Sequence, residues 1–251
     1  MSKIISIHSF RGGTGKSNTT ANMAALLAAG GKRVGVIDTD IQSPGIHVLF
    51  GLTGGSIAHS LNDYLWGRCT IEEAALDISE SILGPGAGRL FLIPSSIQAD
   101  EIVNVLRDGY DVGLLTEGFR RLIKALALDI LLIDTHPGLN EETLFSIAIS
   151  HTLVILMRPD QQDYEGTGVT VEVARSLDVP QMLLVVNKTP ASLVSAAVKQ
   201  RVEQTYNCEV AAVLPHSDEM MSLASSGIFT LHYPDHPLTL LYKEVAARLA
   251  A

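Results

Sequence analysis

Cysteine is scarce in this 251-residue chain: Cys69 and Cys208 stand far apart, with no second thiol or clustered histidine beside either. A disulfide framework or a cysteine-rich zinc or iron–sulfur site is therefore not expected, and the usage fits a reducing compartment. Aromatic residues make up only 5%, with a single tryptophan, so any core must be packed from Val, Ile, Leu and Ala. Positive charge is also short: 18 Lys and Arg face 27 Asp and Glu, for a net charge of −9. That balance removes whole-molecule attraction to nucleic acid or anionic lipid and leaves only local basic patches. No apolar run approaches the roughly 18 residues of a membrane span. The run opened by Met1-Ser2-Lys3 lasts about five residues, too short for a signal-peptide core. The expectation is a cytoplasmic protein, and 47% hydrophobic residues exclude a disordered one.

What is present is a recurring unit of short aliphatic run, turn signal and longer helical segment. The runs are Lys3–His8, Arg33–Asp38, Arg89–Ile93, Asp129–Asp134, Thr152–Met157, Gln181–Val186 and Glu209–Leu214. Most lack polar alternation, as strands buried on both faces of a parallel sheet do. Between them, Ser17–Ala29, Asp111–Ala127, Glu141–Ser150, Thr167–Leu177 and Ser192–Tyr206 suit crossover helices. The pattern predicts one doubly wound α/β domain over residues 1–251, a mostly parallel sheet with helices on both faces. Thr53–Gly88 reads as an insertion on the sheet and Pro237–Ala251 as a closing helix.

The strongest chemical signal is Ser9-Phe10-Arg11-Gly12-Gly13-Thr14-Gly15-Lys16-Ser17, directly after the first strand and opening a helix. Glycines let backbone N–H groups face phosphate oxygens, and a helix N-terminus adds partial positive charge. In such a loop Lys16 reaches the β- and γ-phosphates and the Ser17 hydroxyl ligates Mg²⁺. Gly12, Gly13, Thr14, Gly15 and Asn18 complete the nucleotide-binding group, while Thr19 and Thr20 either add hydroxyl contacts or simply occupy the first helical turn. The general pattern wants glycine five residues before Gly15, where Phe10 stands.

Arg11-Gly12-Gly13-Thr14-Gly15-Lys16-Ser17 resembles the deviant Walker A loop of the ParA/MinD family of P-loop ATPases. Val36-Ile37-Asp38-Thr39-Asp40, Leu131-Leu132-Ile133-Asp134, Val186-Asn187-Lys188 and Leu214-Pro215 follow in that family's order. The resemblance implies ATP and Mg²⁺ as ligands, slow and partner-stimulated hydrolysis, and a homodimer that sandwiches two ATP molecules. It also implies a switch that positions or partitions a cargo, with a protein activator or cargo adaptor. It assigns water activation to Asp40, places Asp38 in the metal shell and makes Asp134 the Walker B carboxylate. Each of these aspartates has the alternative of a plain turn or capping residue.

The family's signature lysine, before the paired glycines, is replaced here by Arg11. Arginine keeps the charge and offers bidentate donors, so it can act as a finger on the partner subunit's nucleotide. The alternatives are a surface arginine without that role, or Arg158 as substitute donor. His136 either senses the γ-phosphate or serves its own loop. Guanine-specific relatives carry an aspartate two residues after the lysine of Asn187-Lys188; Pro190 stands there, which favours ATP, with Asn187 and Pro215 resembling the adenine contacts. The closing segment has only Lys243 and Arg248 on its polar face, which favours a packed helix over a membrane anchor. Lys188, Lys199 and Arg201 leave non-specific DNA binding, and hence nucleoid association, open. Two other classes remain in play: a metallocluster-assembly or metabolic ATPase of the same superfamily, and a weakly hydrolysing nucleotide-dependent scaffold.

Overall fold

The aliphatic runs lack alternation because both of their faces are buried. In the computed structural model, which describes residues 2–251, they form seven strands of one eight-stranded sheet. The strands are β1 (Lys3–His8), β2 (Arg33–Asp38), β3 (Leu76–Asp77), β4 (Arg89–Ile93), β5 (Ile130–Asp134), β6 (Thr152–Met157), β7 (Gln181–Thr189) and β8 (Glu209–Pro215). Their order is β3-β4-β2-β5-β1-β6-β7-β8, all parallel except the antiparallel edge strand β3. Six longer helices connect them and a seventh follows β8: α1 (Lys16–Ala29), α2 (Ala99–Asp108), α3 (Gly113–Ala125), α4 (Glu141–Ala148), α5 (Gln161–Ser176), α6 (Ser195–Tyr206) and, last, α7 (Pro237–Ala250).

Successive strand side chains go to opposite faces. Ile5, Ile7, Val34, Val36, Ile130, Leu132, Val154 and Leu156 share one core with α1 and α7. On the other face, Ile37, Leu131 and Ile133 meet Phe119 and Leu122 of α3, while Leu153, Ile155 and Met157 meet Val171 of α5 and Val202 of α6. Alanines 21, 24, 25 and 28 are fully buried on α1, so this helix lies close on the sheet, with α7 packed beside it. Among the described residues no helix is long and apolar enough to cross a membrane.

Two expectations need correcting. The helix expected at Thr167–Leu177 begins at Gln161, capped by the Asp160 side chain, which accepts from Asp163 N. Gly166 sits inside α5, where a Cβ would lie 2.2 Å from the Phe10 ring. The missing side chain makes room for the loop after β1. The helix expected at Asp111–Ala127 is trimmed to Gly113–Ala125, and α2 precedes it unforeseen. Thr53–Gly88 adds two short helical turns, Leu61–Leu65 and Ser79–Leu83, and the edge strand β3. Parallel pairing brings the carboxyl ends of β1, β2, β5, β6, β7 and β8 to one edge, with Asp38 level with Asp134 and Ile7 beside Asp134.

Candidate nucleotide site

At that edge the chain turns from β1 into α1 through Ser9–Gly15. Gly13 and Gly15 take φ of 79° and 96°, the left-handed region that glycine enters without a Cβ penalty. The Asn187 side chain donates to Thr14 O at 2.7 Å and Lys188 Nζ donates to Gly13 O at 2.8 Å. These two ties draw successive carbonyls toward β7. Gly12 and Gly13 have open space where a Cβ would stand, and the Thr14 hydroxyl is buried without a partner. A cavity of about 230 Å³ lies over the loop, lined by Gly12 to Asn18 with Asp40, Ser43 and Pro137. Open glycines, an orphaned hydroxyl and a helix N-terminus together fit a phosphate chain.

Lys16 is buried at the mouth of this loop, 3.4 Å from Asp134 Oδ1 and 3.8 Å from Asp40 Oδ2. The Thr20 hydroxyl lies 3.1 Å from the same Asp134 oxygen and 3.1 Å from Lys16 O one turn back, within reach of both the site and its own helix. Asp40 Oδ1 accepts from the amide and hydroxyl of Ser43, at 3.2 and 2.9 Å. Asp38 is held differently: its two oxygens accept from the amides of Asp40 and Gly45, so it anchors the turn after β2, and it does not line the cavity. Burial, with Asp134 next, pushes the Asp38 carboxyl up to about 8. A divalent cation would relieve this crowding of carboxylates. Ser17, Asp134 and Asp38 are hard oxygen donors of the kind Mg²⁺ takes; both bonds to Asp134 fall on its Oδ1, whereas both oxygens of Asp38 are held by amides.

Two histidines flank the acids. His136 Nδ1 donates to Pro137 O at 2.6 Å, and its Nε2 lies 3.8 Å from Asp40 Oδ1. His8, which the sequence did not single out, is fully buried beneath the loop with Nδ1 2.9 Å from the Thr135 hydroxyl. Burial, then the charge of Lys16, pushes it down to about 3, so it stays neutral.

Arg11 does not project freely. Its guanidinium lies 3.4 Å from Asp163 and 3.7 Å from Asp160, at the start of α5. Arg158 shares both carboxylates, through its backbone N–H at 2.8 Å and its side chain at 3.2 Å. The Phe10 ring seats on Gly166 of the same helix, which accounts for the phenylalanine in the loop. On the other side of the loop a second cavity of about 180 Å³ is lined by Asn18, Asn187, Lys188 and Pro215. Met220, Met221, Leu238 and Tyr242 are among its other walls; sequence reasoning missed these four because they form no motif.

A central strand, a glycine turn gripping a helix N-terminus, and carboxylates on neighbouring strand ends define a P-loop nucleotide-binding protein. The family model described as AAA domain matches residues 2–179. An uncharacterised ATP-binding protein of Methanocaldococcus jannaschii is 27% identical, over 99% of this chain and 88% of its own. An iron–sulfur cluster carrier protein of Pseudomonas fragi is 27% identical over 97% and 83%. The septum site-determining protein MinD of Bacillus subtilis is 23% identical over 99% and 89%. Among solved structures, the MinD cell division protein of Aquifex aeolicus superposes with a TM-score of 0.82 at 20% identity, over 99% of this chain and 96% of that one. MinD of Pyrococcus horikoshii in complex with Mg-ADP gives 0.81 at 19% identity, over 99% and 96%. The chain belongs to this family, the ParA/MinD P-loop ATPases.

Proposed function

We propose that this chain binds and hydrolyses ATP as a molecular switch, closing as an ATP-sandwich homodimer and using the cycle to position or partition a cellular cargo. The observation that carries the reading is Lys16, buried between Asp134 and Asp40 at the mouth of an open glycine loop. A buried cation held at 3.4–3.8 Å by two carboxylates is poised to exchange them for phosphate oxygens. Loop amides and the α1 N-terminus then hold the phosphate chain, and Asn187 with Pro215 contacts the base. Ser17 and Asp134 would hold Mg²⁺, with Asp38 behind them; the ion supplies charge neutralisation at the transferred phosphoryl group. Asp40, released by Lys16, orients water. Arg11 supplies the trans contact only after leaving Asp163 and Asp160.

The same geometry lends no support to DNA or membrane as the matrix. Of the three basic residues open to DNA, Lys188 is tied to Gly13 O, Lys199 pairs with Glu203, and Arg201 stacks on Tyr164. Helix α7 buries Leu238, Tyr242, Val245 and Leu249, so its apolar face is already covered. A cluster-carrier role, suggested by one relative's name, is disfavoured because Cys69 and Cys208 pack against different core clusters.

The test is phosphate release from Mg-ATP, with sizing chromatography. We expect slow turnover, no nucleotide binding by Lys16→Ala, and an ATP-dependent dimer retained by Asp40→Ala. Micromolar ATP affinity in Lys16→Ala, or only monomer in Asp40→Ala, would refute the assignment.

A further inference from the structure

The helical turn Asp218–Leu223 forms a wall of the second cavity through Met220 and Met221, yet none of its residues is buried, and Met221 is 60% exposed. Its start is tied by Ser217, whose hydroxyl accepts from Met220 N at 3.1 Å and donates to Glu219 at 2.8 Å. It leaves through Ala224 and Ser225, two consecutive residues in the left-handed region, at φ 47° and 60°. L-residues enter that region only against Cβ crowding. So exposed and strained a turn needs a further hold.

Glu219 supplies one by reaching His236, 3.6 Å from its Nε2. His236 is also the cap of α7: its Nδ1 accepts from Leu238 N at 3.1 Å, and its ring sits edge-on to Phe229 with centroids 5.2 Å apart. With Nδ1 accepting, the neutral ring carries its proton on Nε2, facing Glu219. Leu238 and Tyr242 of α7 line the same cavity. One histidine thus joins the helix on one side of the cavity to the turn on the other.

We propose that the Glu219–His236 contact is a latch that holds the Asp218–Leu223 turn against the purine end of the nucleotide site. The inference rests on the functional reading above. Neither residue lines the cavity; both are positioning residues that set how long the base stays. Because the latch acts at the base, the grip on phosphates is independent of it.

The full chain carrying Glu219→Ala, His236→Asn or both tests this, since asparagine keeps a side-chain cap for α7 while losing the latch. The probes are ADP with a ribose fluorophore, followed by stopped flow, and inorganic pyrophosphate, followed by calorimetry. Each single variant is expected to release ADP about two- to fivefold faster, as loss of one part-exposed contact between a carboxylate and an imidazole N–H implies. The double variant should be no faster than either, and pyrophosphate affinity should be unchanged. Wild-type ADP release in both single variants, additive effects, or equal weakening toward pyrophosphate overturns the latch. A wild-type chain that binds neither probe overturns the functional reading itself.

Discussion

Gly15 is where the loop's backbone geometry and its tie to β7 meet, and Gly15→Ala probes both. Its φ and ψ are 96° and 24°, and a Cβ built there lies 2.4 Å from Asn187 Nδ2. Holding an L-residue in the left-handed region costs about 1–2 kcal/mol. Displacing Asn187 loses its bond to Thr14 O, about 1 kcal/mol net, and crowding adds about 1–3 kcal/mol. The expected loss is therefore about 3–6 kcal/mol, or a fall of roughly 10–20 °C in Tm for a chain of this size. Urea and thermal unfolding of the free protein measure it. Gly12→Ala is the matched control: Gly12 is not left-handed and a Cβ there meets nothing within 4 Å. It should change stability by less than about 0.5 kcal/mol, while the added methyl group, at a residue lining the cavity, weakens nucleotide binding. Equal unfolding midpoints for Gly15→Ala and wild type would refute the geometric argument.

The buried, neutral His8 binds its proton less well folded than unfolded, so its share of stability is present above pH 6.5 and lost as pH falls toward 3. Over that range His8→Gln should remove up to about 1.4 kcal/mol per pH unit of acid sensitivity relative to wild type; parallel stability–pH curves would count against it. At the loop–α5 contact, Asp163 is 3% exposed and serves two arginines, whereas the Arg11 side chain is 37% exposed. Asp163→Ala should therefore cost about 2–4 kcal/mol and Arg11→Ala less than about 1 kcal/mol in urea unfolding. The reverse order would mean that Arg11 is the anchor. Under the functional reading, Arg11→Ala should also slow turnover while leaving monomer nucleotide binding intact.

The phosphate loop was legible because its parts are contiguous: aliphatic strand, glycines, Lys16-Ser17 and helix all lie between Lys3 and Ala29. The aspartates at the ends of β2 and β5 were legible for a related reason, since a carboxylate closing an apolar run is costly unless it is used. Asp38 shows where that logic runs out: the run announces the acid, but only the turn to Gly45 shows that its oxygens are taken by amides. Helix α5 starts at Gln161 and takes in Gly166, whose missing side chain makes room for Phe10, more than 150 positions away in the chain.

By itself, then, the amino-acid sequence determined the alternation of buried strands and helices, the class of loop and the cation at its mouth, all consequences of neighbouring residues and their period. Tertiary structure alone decided that Arg11 rests on Asp163, that His8 lies neutral under Lys16, and that Met220 and Tyr242 close one cavity. Those contacts join segments with no common period or spacing, and packing at the sheet's carboxyl edge is what brings them together.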